Sequence, residues 1–271
     1  MDVKFLKSKI TSREVKFIYE IIRWYGDYSI ENLSQMLVGK THTQMFDILR
    51  KYQAEQKIMN PDDFYGEARG KSKAKKLWYT LKPVLKKHKI RINSFMDFGG
   101  TNCHTAYYMG QFMRINPSKT YCVDLDGWAG MDWKRRGDVN FVSTKKISTI
   151  PNNSVRCIHT SHTLHHATDA EIKKYIEQFY RIIPPRGILV LYEHDSNSKW
   201  MFNMLDITHA LFDVVLAQTS TFEEFNKGWV SNYKPKKKWD VLLRGKFRQI
   251  YFNRVPHSAN NNYYCIYAST K

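Results

Sequence analysis

Apolar residues in the first sixty positions recur every three or four residues, the spacing that lines one face of a helix. Residues 12–25, 30–37 and 41–56 follow it, the last with Met45, Ile48, Leu49 and Tyr52 on one side and a Val38-Gly39-Lys40 turn before it. A short helix, a glycine turn and a longer helix have the outline of a helix-turn-helix, but no base-reading residues accompany them, and a helical cap is the plainer expectation. From residue 95 the pattern changes to short apolar runs bounded by Gly, Pro, Asn and Ser. The runs are Phe95-Met96-Asp97-Phe98, Tyr121-Cys122-Val123-Asp124, Val139-Asn140-Phe141-Val142, the stretch around Val155-Arg156-Cys157-Ile158, Ile188-Leu189-Val190-Leu191-Tyr192-Glu193, and residues 247–254 and 263–268. Helical spacing returns over residues 169–183, through Ile172, Tyr175, Ile176, Phe179 and Ile182, until Pro184-Pro185-Arg186-Gly187 stops it. It returns again over residues 198–218, with Trp200, Met204, Leu205, His209, Leu211, Phe212 and Val215 in one broad stripe. Strands alternating with helices predict an α/β fold with a doubly wound, seven-stranded sheet over residues 89–271, preceded by a helical extension over residues 1–88. Residues 60–70, opening Asn60-Pro61-Asp62-Asp63, read as a linker or gate.

The first of these strands runs into Asp97-Phe98-Gly99-Gly100-Thr101-Asn102, and the second ends in Asp124-Leu125-Asp126. Paired glycines let backbone pass close to a ligand, and an acid at the tip of the next strand can take ribose hydroxyls, so the pair suits an adenosine. The dinucleotide fingerprint G-x-G-x-x-G is not met, because Thr101 and His104 stand where its second and third glycines belong. A pyrophosphate is therefore a poor fit.

The D-x-G core resembles motif I of the class I, Rossmann-like S-adenosylmethionine (SAM)-dependent methyltransferases. The run from Ile150-Pro151-Asn152-Asn153-Ser154 to Leu164-His165-His166 resembles that family's passage through its fourth strand, and Pro184 to Glu193 resembles its Pro-Gly turn and fifth strand. The resemblance spans about residues 90–271. It implies SAM as cofactor and S-adenosylhomocysteine (SAH) as product, with Asp97, Gly99, Gly100 and Thr101 framing the cofactor, Asp124 on its ribose, and Leu125, Ser143 and Ser161 beside it. The acid that in many relatives follows the third strand and meets the adenine amino group is absent, with Ser143, Thr144 and Lys145 in its place. That departure leaves room for a silent, methyltransferase-like RNA-binding subunit.

Charge narrows the acceptor. Lys and Arg number 43 against 25 Asp and Glu, a formal net charge of +18, and an excess of that size points to an anionic partner, RNA first. The basic clusters are residues 69–76, 82–91, 134–136 and 234–238. Lys234, Lys236, Lys237 and Lys238 are candidates for phosphates, with Tyr233 and Trp239 bracketing them as stacking groups; Trp128, Trp133 and Trp229 are further stacking candidates. The four cysteines, Cys103, Cys122, Cys157 and Cys265, lack paired ligand spacing and read as buried thiols of a reducing compartment. No apolar run has membrane-spanning length and no leader is seen, so a soluble, cytoplasmic protein is expected, with no membrane partner.

The Lys-Asp-Lys-Glu tetrad of ribose 2′-O methyltransferases is missing, since Ser161 and His162 occupy its Asp position. So is the Pro-Cys loop of C5-pyrimidine enzymes. Guanine N7 already offers a lone pair and needs only orientation, which makes the mRNA cap the favoured acceptor. Glu193 and His194 at the end of the fifth strand and His162 after the fourth are the candidate catalytic groups, while Asp195 is equally a helix cap or a substrate contact. Glu193-His194-Asp195, the run from Asp206 to Asp213, and the run from Asn232 to Trp239 resemble methyltransferase domains of large DNA virus mRNA-capping enzymes, which implies a viral replication site in the host cytoplasm. His159, His162, His165, His166 and His194 lie near strand ends without carboxylate or cysteine partners at ligand spacing, so no metal is expected. A small-molecule methyltransferase fits the motifs as well but leaves the charge unused. The N-terminal helices are a candidate surface for a protein partner.

Overall fold

A computed structural model of the chain describes residues 1–56, 66–125, 137–256 and 258–271. Most of the expected linker, Trp128, Trp133 and the 134–136 basic cluster lie outside the described residues. The helices are α1 (Val3–Lys7), α2 (Ser12–Ile22), α3 (Ile30–Leu37), α4 (His42–Gln56), α5 (Glu67–His88), α6 (His104–Met113), α7 (Asp169–Ile182), α8 (Lys199–Ala210), α9 (Phe222–Gly228) and α10 (Lys236–Leu243). The strands are β1 (Phe95–Phe98), β2 (Thr120–Asp124), β3 (Asn140–Ser143), β4 (Cys157–Ser161), β5 (Ile188–His194), β6 (Phe247–Arg254) and β7 (Asn262–Ser269).

Two compact units result: Met1–Phe64 with Asp195–Tyr233 and His257–Asn261, and Tyr65–His194 with Lys234–Pro256 and Asn262–Lys271. This differs from the expected division at residues 88 and 89. The physical reason lies in α5, which buries Ala74, Leu77, Leu81 and Val84 in the core of the sheet unit. Conversely, α8 and α9 belong to the helical unit.

The sheet has seven strands in the order β3-β2-β1-β4-β5-β7-β6, with β1 to β5 parallel and β7 antiparallel to both neighbours. Alternation along the strands builds two cores. Met96, Phe98, Ile158, Leu189 and Leu191 share one with Ile172, Ile176 and Phe179 of α7, and Phe95, Cys122, Cys157 and Val190 share the other with α5 and α6. Covering both faces explains why the central strands read as nearly unbroken apolar runs. Because the chain passes from β1 outward to β2 on one side and returns to β4 on the other, the strand order reverses between β1 and β4, and the carboxyl ends at such a switch point are where sheets of this kind bind ligands. All four cysteines are buried free thiols.

In the helical unit, sequence-local caps fix the helix starts. Thr11 with Glu14 and Thr221 with Glu224 form capping boxes, and Ser29 and Ser198 accept from the backbone three residues on. Ser198, not Asp195, caps α8. The expected helix over residues 198–218 changes at Ala210 into a wider π-helical turn over Leu211–Leu216, because Ala217 N–H reaches back five residues to Phe212 O at 2.8 Å. That turn buries Leu211, Val214, Val215 and Leu216 together. No helix among the described residues is long and apolar enough to cross a membrane.

Candidate functional site

At the carboxyl end of β1 the chain turns on Gly99, whose φ is +80° and whose N–H bonds Val123 O at 2.7 Å. A side chain is excluded twice, by that left-handed backbone and because a Cβ would collide with Thr163. Thr101 and Cys103 also take positive φ, 45° and 60°, so the turn presents amides toward the end of β2. There Asp124 receives Thr101 N–H on Oδ2 at 2.5 Å and Leu125 N–H on Oδ1 at 2.6 Å. Burial raises the Asp124 carboxyl above its ordinary range, and the two amides oppose that shift. Each carboxylate oxygen keeps a second lone pair, the pair of acceptors that vicinal ribose hydroxyls need for their donated hydrogen bonds. Pyrophosphate has no comparable seat: a Cβ on Gly70 of α5 would strike His104, the first residue of α6, so α5 closes over the helix terminus where a dinucleotide would lie.

Other expected cofactor residues have different positions. Asp97 is buried and its Oδ1 lies 2.7 Å from His159 Nδ1, a contact that braces β1 against β4. Gly100 lies over Asp97 and Cys122, leaving no space for a side chain. Ser143 caps the short turn after β3, accepting Lys145 N–H at 3.3 Å, while Ser161 O accepts the Thr163 hydroxyl at 2.9 Å. Leu125 is 71 % exposed beside Asp124.

A second group assembles at the ends of β4, β5 and β7. His162 has φ +50°, its N–H bonds Tyr192 O at 2.9 Å, and its ring stacks on His194 with centroids 4.3 Å apart and planes 7° apart. Its Nε2 is 3.3 Å from Asn262 Oδ1, and Asn262 Nδ2 donates to the Tyr192 hydroxyl at 3.2 Å. Tyr192 in turn stacks on Tyr264 at 4.2 Å. Beneath this ledge, Glu193 Oε2 lies 2.6 Å from His165 Nδ1. Burial pushes the Glu193 carboxyl up to about 7, and burial together with His166 and His194 pushes the His165 imidazole well below its usual range. Both shifts favour a neutral pair sharing one hydrogen bond.

Glu193 and His194 are 1 % and 3 % exposed, so the expected catalytic roles divide. His162 is half-exposed on the rim, whereas Glu193 and His194 hold the surrounding rings in place. Tyr192, Asn262 and Tyr264 were not singled out from sequence. Their signal was the alternation of β7, which places Asn262 and Tyr264 on one face, paired in register with His194 and Tyr192.

The basic run is only partly available. Lys234 Nζ pairs with Asp169 at 2.7 Å and Lys236 Nζ with Asp240 at 2.6 Å, leaving Lys237 and Lys238 exposed on the first turn of α10. Trp239 is 1 % exposed and belongs to the core beneath the sheet, so it cannot stack on a base. Tyr233 is buried with its hydroxyl 2.9 Å from His209 Nδ1, and Trp229 donates Nε1–H to Asp206 Oδ1 at 3.0 Å. Asp206 also accepts the Ser231 hydroxyl at 2.5 Å. Asp206 and His209 thus fasten the segment 229–233 onto α8.

No family model and no curated protein matches the sequence. Solved structures do match in fold. The PH0226 protein of Pyrococcus horikoshii aligns over 72 % of this chain and 91 % of its own, with 14 % identity and a TM-score of 0.50. The carbon methyltransferase CurJ aligns over 97 % and 72 %, with 14 % identity and the same TM-score. A protein of Nostoc punctiforme provisionally named an O-methyltransferase aligns over 95 % and 72 %, with 10 % identity, again at 0.50. At these identities the likeness is one of fold: a Rossmann-like sheet with flanking helices, as expected from the strand and helix alternation.

Proposed function

We propose that the chain is a SAM-dependent methyltransferase whose acceptor is a planar ring carried by RNA, in its finest form guanine N7 of an mRNA cap. The observation that carries the reading is Asp124 at the tip of β2, held by Thr101 N–H above the Gly99 turn. That arrangement has a seat for ribose hydroxyls and none for a pyrophosphate. Bound SAM would supply an electrophilic methyl on a sulfonium, whose in-line transfer to the acceptor's lone pair would break the S–CH3 bond and release SAH. The chain's own part is positioning. His162, Tyr192 and Tyr264 offer ring faces on which a planar acceptor can stack, and Asn262 offers an amide to its edge. Below about pH 7 the Glu193–His165 pair is neutral and fixes the end of β5 without placing a fixed charge under the acceptor. A lone-pair acceptor such as N7 needs nothing more, and a hydroxyl acceptor would have His162 as its base.

The same ledge supports a second reading, a small planar molecule as acceptor. The solved structures sharing the fold include a carbon methyltransferase. The +18 charge favours RNA. We propose cytoplasmic residence alongside the RNA reading, and the exposed Trp24 of the helical unit, 75 % accessible under the Arg23 guanidinium, as the place for a protein partner. The deciding experiment is label transfer from radiolabelled SAM to capped RNA, uncapped RNA and small aromatic acceptors, followed by nucleoside analysis. Labelled 7-methylguanosine from capped RNA alone supports the first reading. Label in small acceptors alone supports the second, and transfer to none of them contradicts both.

A further inference from the structure

The amino-terminal edge of the same sheet has a character of its own. Lys89 and Arg91 precede β1, Arg156 precedes β4 and Arg186 precedes β5. Since β1, β4 and β5 are neighbours, these four cations converge on one cavity of about 480 Å³. A second cavity of about 450 Å³ shares Lys89 and Arg91 and continues along the carboxyl-terminal ends of α5 and α6, where Trp78, Lys86, Phe112 and Arg114 line it. Among the described residues no carboxylate lines either cavity. None of the six cationic side chains makes an ion pair or hydrogen bond among the described residues, whereas Lys234, Lys236 and Lys246 elsewhere are all paired. Like charges gathered without counter-charge repel one another, and a bound anion relieves them.

Two further features give the trough a direction. Lys89, Arg114 and Arg186 all take left-handed backbone, φ 51°, 54° and 62°, where glycine or asparagine is the ordinary choice. Long cations thus occupy three turns that glycine would fill with less strain. Trp78 and Phe112 are half-buried, with ring surface left at one end of the trough. A row of cations next to exposed aromatic rings is the combination that grips a phosphodiester backbone while stacking unpaired bases. A single small phosphate would need neither six cations nor the rings.

We infer that this trough binds single-stranded nucleic acid, with phosphates along Lys89, Arg91, Arg156 and Arg186 and bases on Trp78 and Phe112. It lies at the opposite ends of the strands from the proposed cofactor seat and does not depend on methyl transfer there.

The test is fluorescence anisotropy of a short labelled single-stranded RNA with the full chain across a salt series. Replacing Arg91, Arg156 and Arg186 by Ala should weaken binding and flatten the slope of log K against log salt by about 2, at about 0.7 per lost contact. Trp78→Ala should weaken it roughly 5- to 150-fold with little change of slope. Wild-type affinity and slope in the triple variant would overturn the inference. So would inorganic tripolyphosphate binding as tightly as RNA with no effect of Trp78→Ala, the mark of a free-polyanion site. Photocrosslinking of 4-thiouridine RNA to the unaltered protein needs no variant to fold: crosslinks on peptides containing Trp78 or Phe112 support the trough, and crosslinks solely elsewhere refute it. SAH calorimetry on the triple variant keeps the two proposals apart, since binding there should match the unaltered chain. SAH failing to bind the unaltered chain would sink the methyltransferase reading and leave the RNA result standing.

Discussion

The two ends of the sheet handle charge in opposite ways. At the carboxyl ends of the strands, Asp97, Asp124 and Glu193 each have a partner at 2.5–2.7 Å, and the histidines among them are stacked or bonded. At the amino ends, six cations face a trough with no partner among the described residues. Burying an unpaired ionisable group costs several kcal/mol, so the acids at the carboxyl end each take a partner, and the end gains rigid geometry from that. Exposed cations cost little to fold and act over about a Debye length, so the amino end suits recognition. One end is built for positioning and the other for attraction.

That contrast is sharpest in stability. Glu193→Ala should destabilise the fold by about 2–5 kcal/mol in denaturant titrations, because it opens a cavity and strands His165 in the core. Arg91→Ala, Arg156→Ala and Arg186→Ala should each stay within about 0.5 kcal/mol of the parent. Comparable losses at both ends would break the comparison.

A pH series refines it. Glu193 has its folded pKa raised to about 7 from an ordinary 4.5, so the stability tied to its protonated form is full below about 4.5 and is lost as pH rises through about 7. Glu193→Gln keeps a neutral group there. Relative to the parent it should gain roughly 2–3 kcal/mol between pH 4.5 and 7 and nothing further above. His165, with its pKa lowered, pulls the parent the other way as pH falls below its ordinary 6.5, but it does so in both proteins and largely cancels in the difference. A difference independent of pH would show that Glu193 is ionised in the folded state.

The smallest effect concerns the lysine run. Ala at both Lys237 and Lys238 should flatten the RNA salt slope by about 1.4 at most, and adding Lys234 and Lys236 should change it little further, because those two are already paired. A slope change of about three or more in the quadruple variant would return the RNA surface to this run.

Sequence reading succeeded where a local rule carries the geometry. The Gly99 turn, Asp124 at a strand tip, and the seven strands with α7 between the fourth and fifth all follow from periodicity and turn chemistry over a few residues. It failed where position depends on distant partners. Trp239 and Tyr233 flank lysines in sequence, yet Trp239 is drawn into the core and Tyr233 onto His209. The runs that suggested viral capping domains are occupied with internal ties, Asp206 to Trp229 and Ser231 among them. The amino-terminal trough was equally hidden, since Arg91, Arg156 and Arg186 are brought side by side only by the strand order. Within the helical unit, the π-helical turn at Leu211–Leu216 has the same apolar spacing as an ordinary helix and leaves no local mark.

The central claim is that the Gly99 turn and Asp124 form a seat for the adenosine end of SAM. Isothermal calorimetry of SAH against the unaltered chain and Asp124→Ala tests it directly. The expected result is measurable binding to the first and at least about tenfold weaker binding, some 1.4 kcal/mol, to the second, with NAD binding to neither. No SAH binding to the folded, unaltered chain, or equal binding to both, would contradict it.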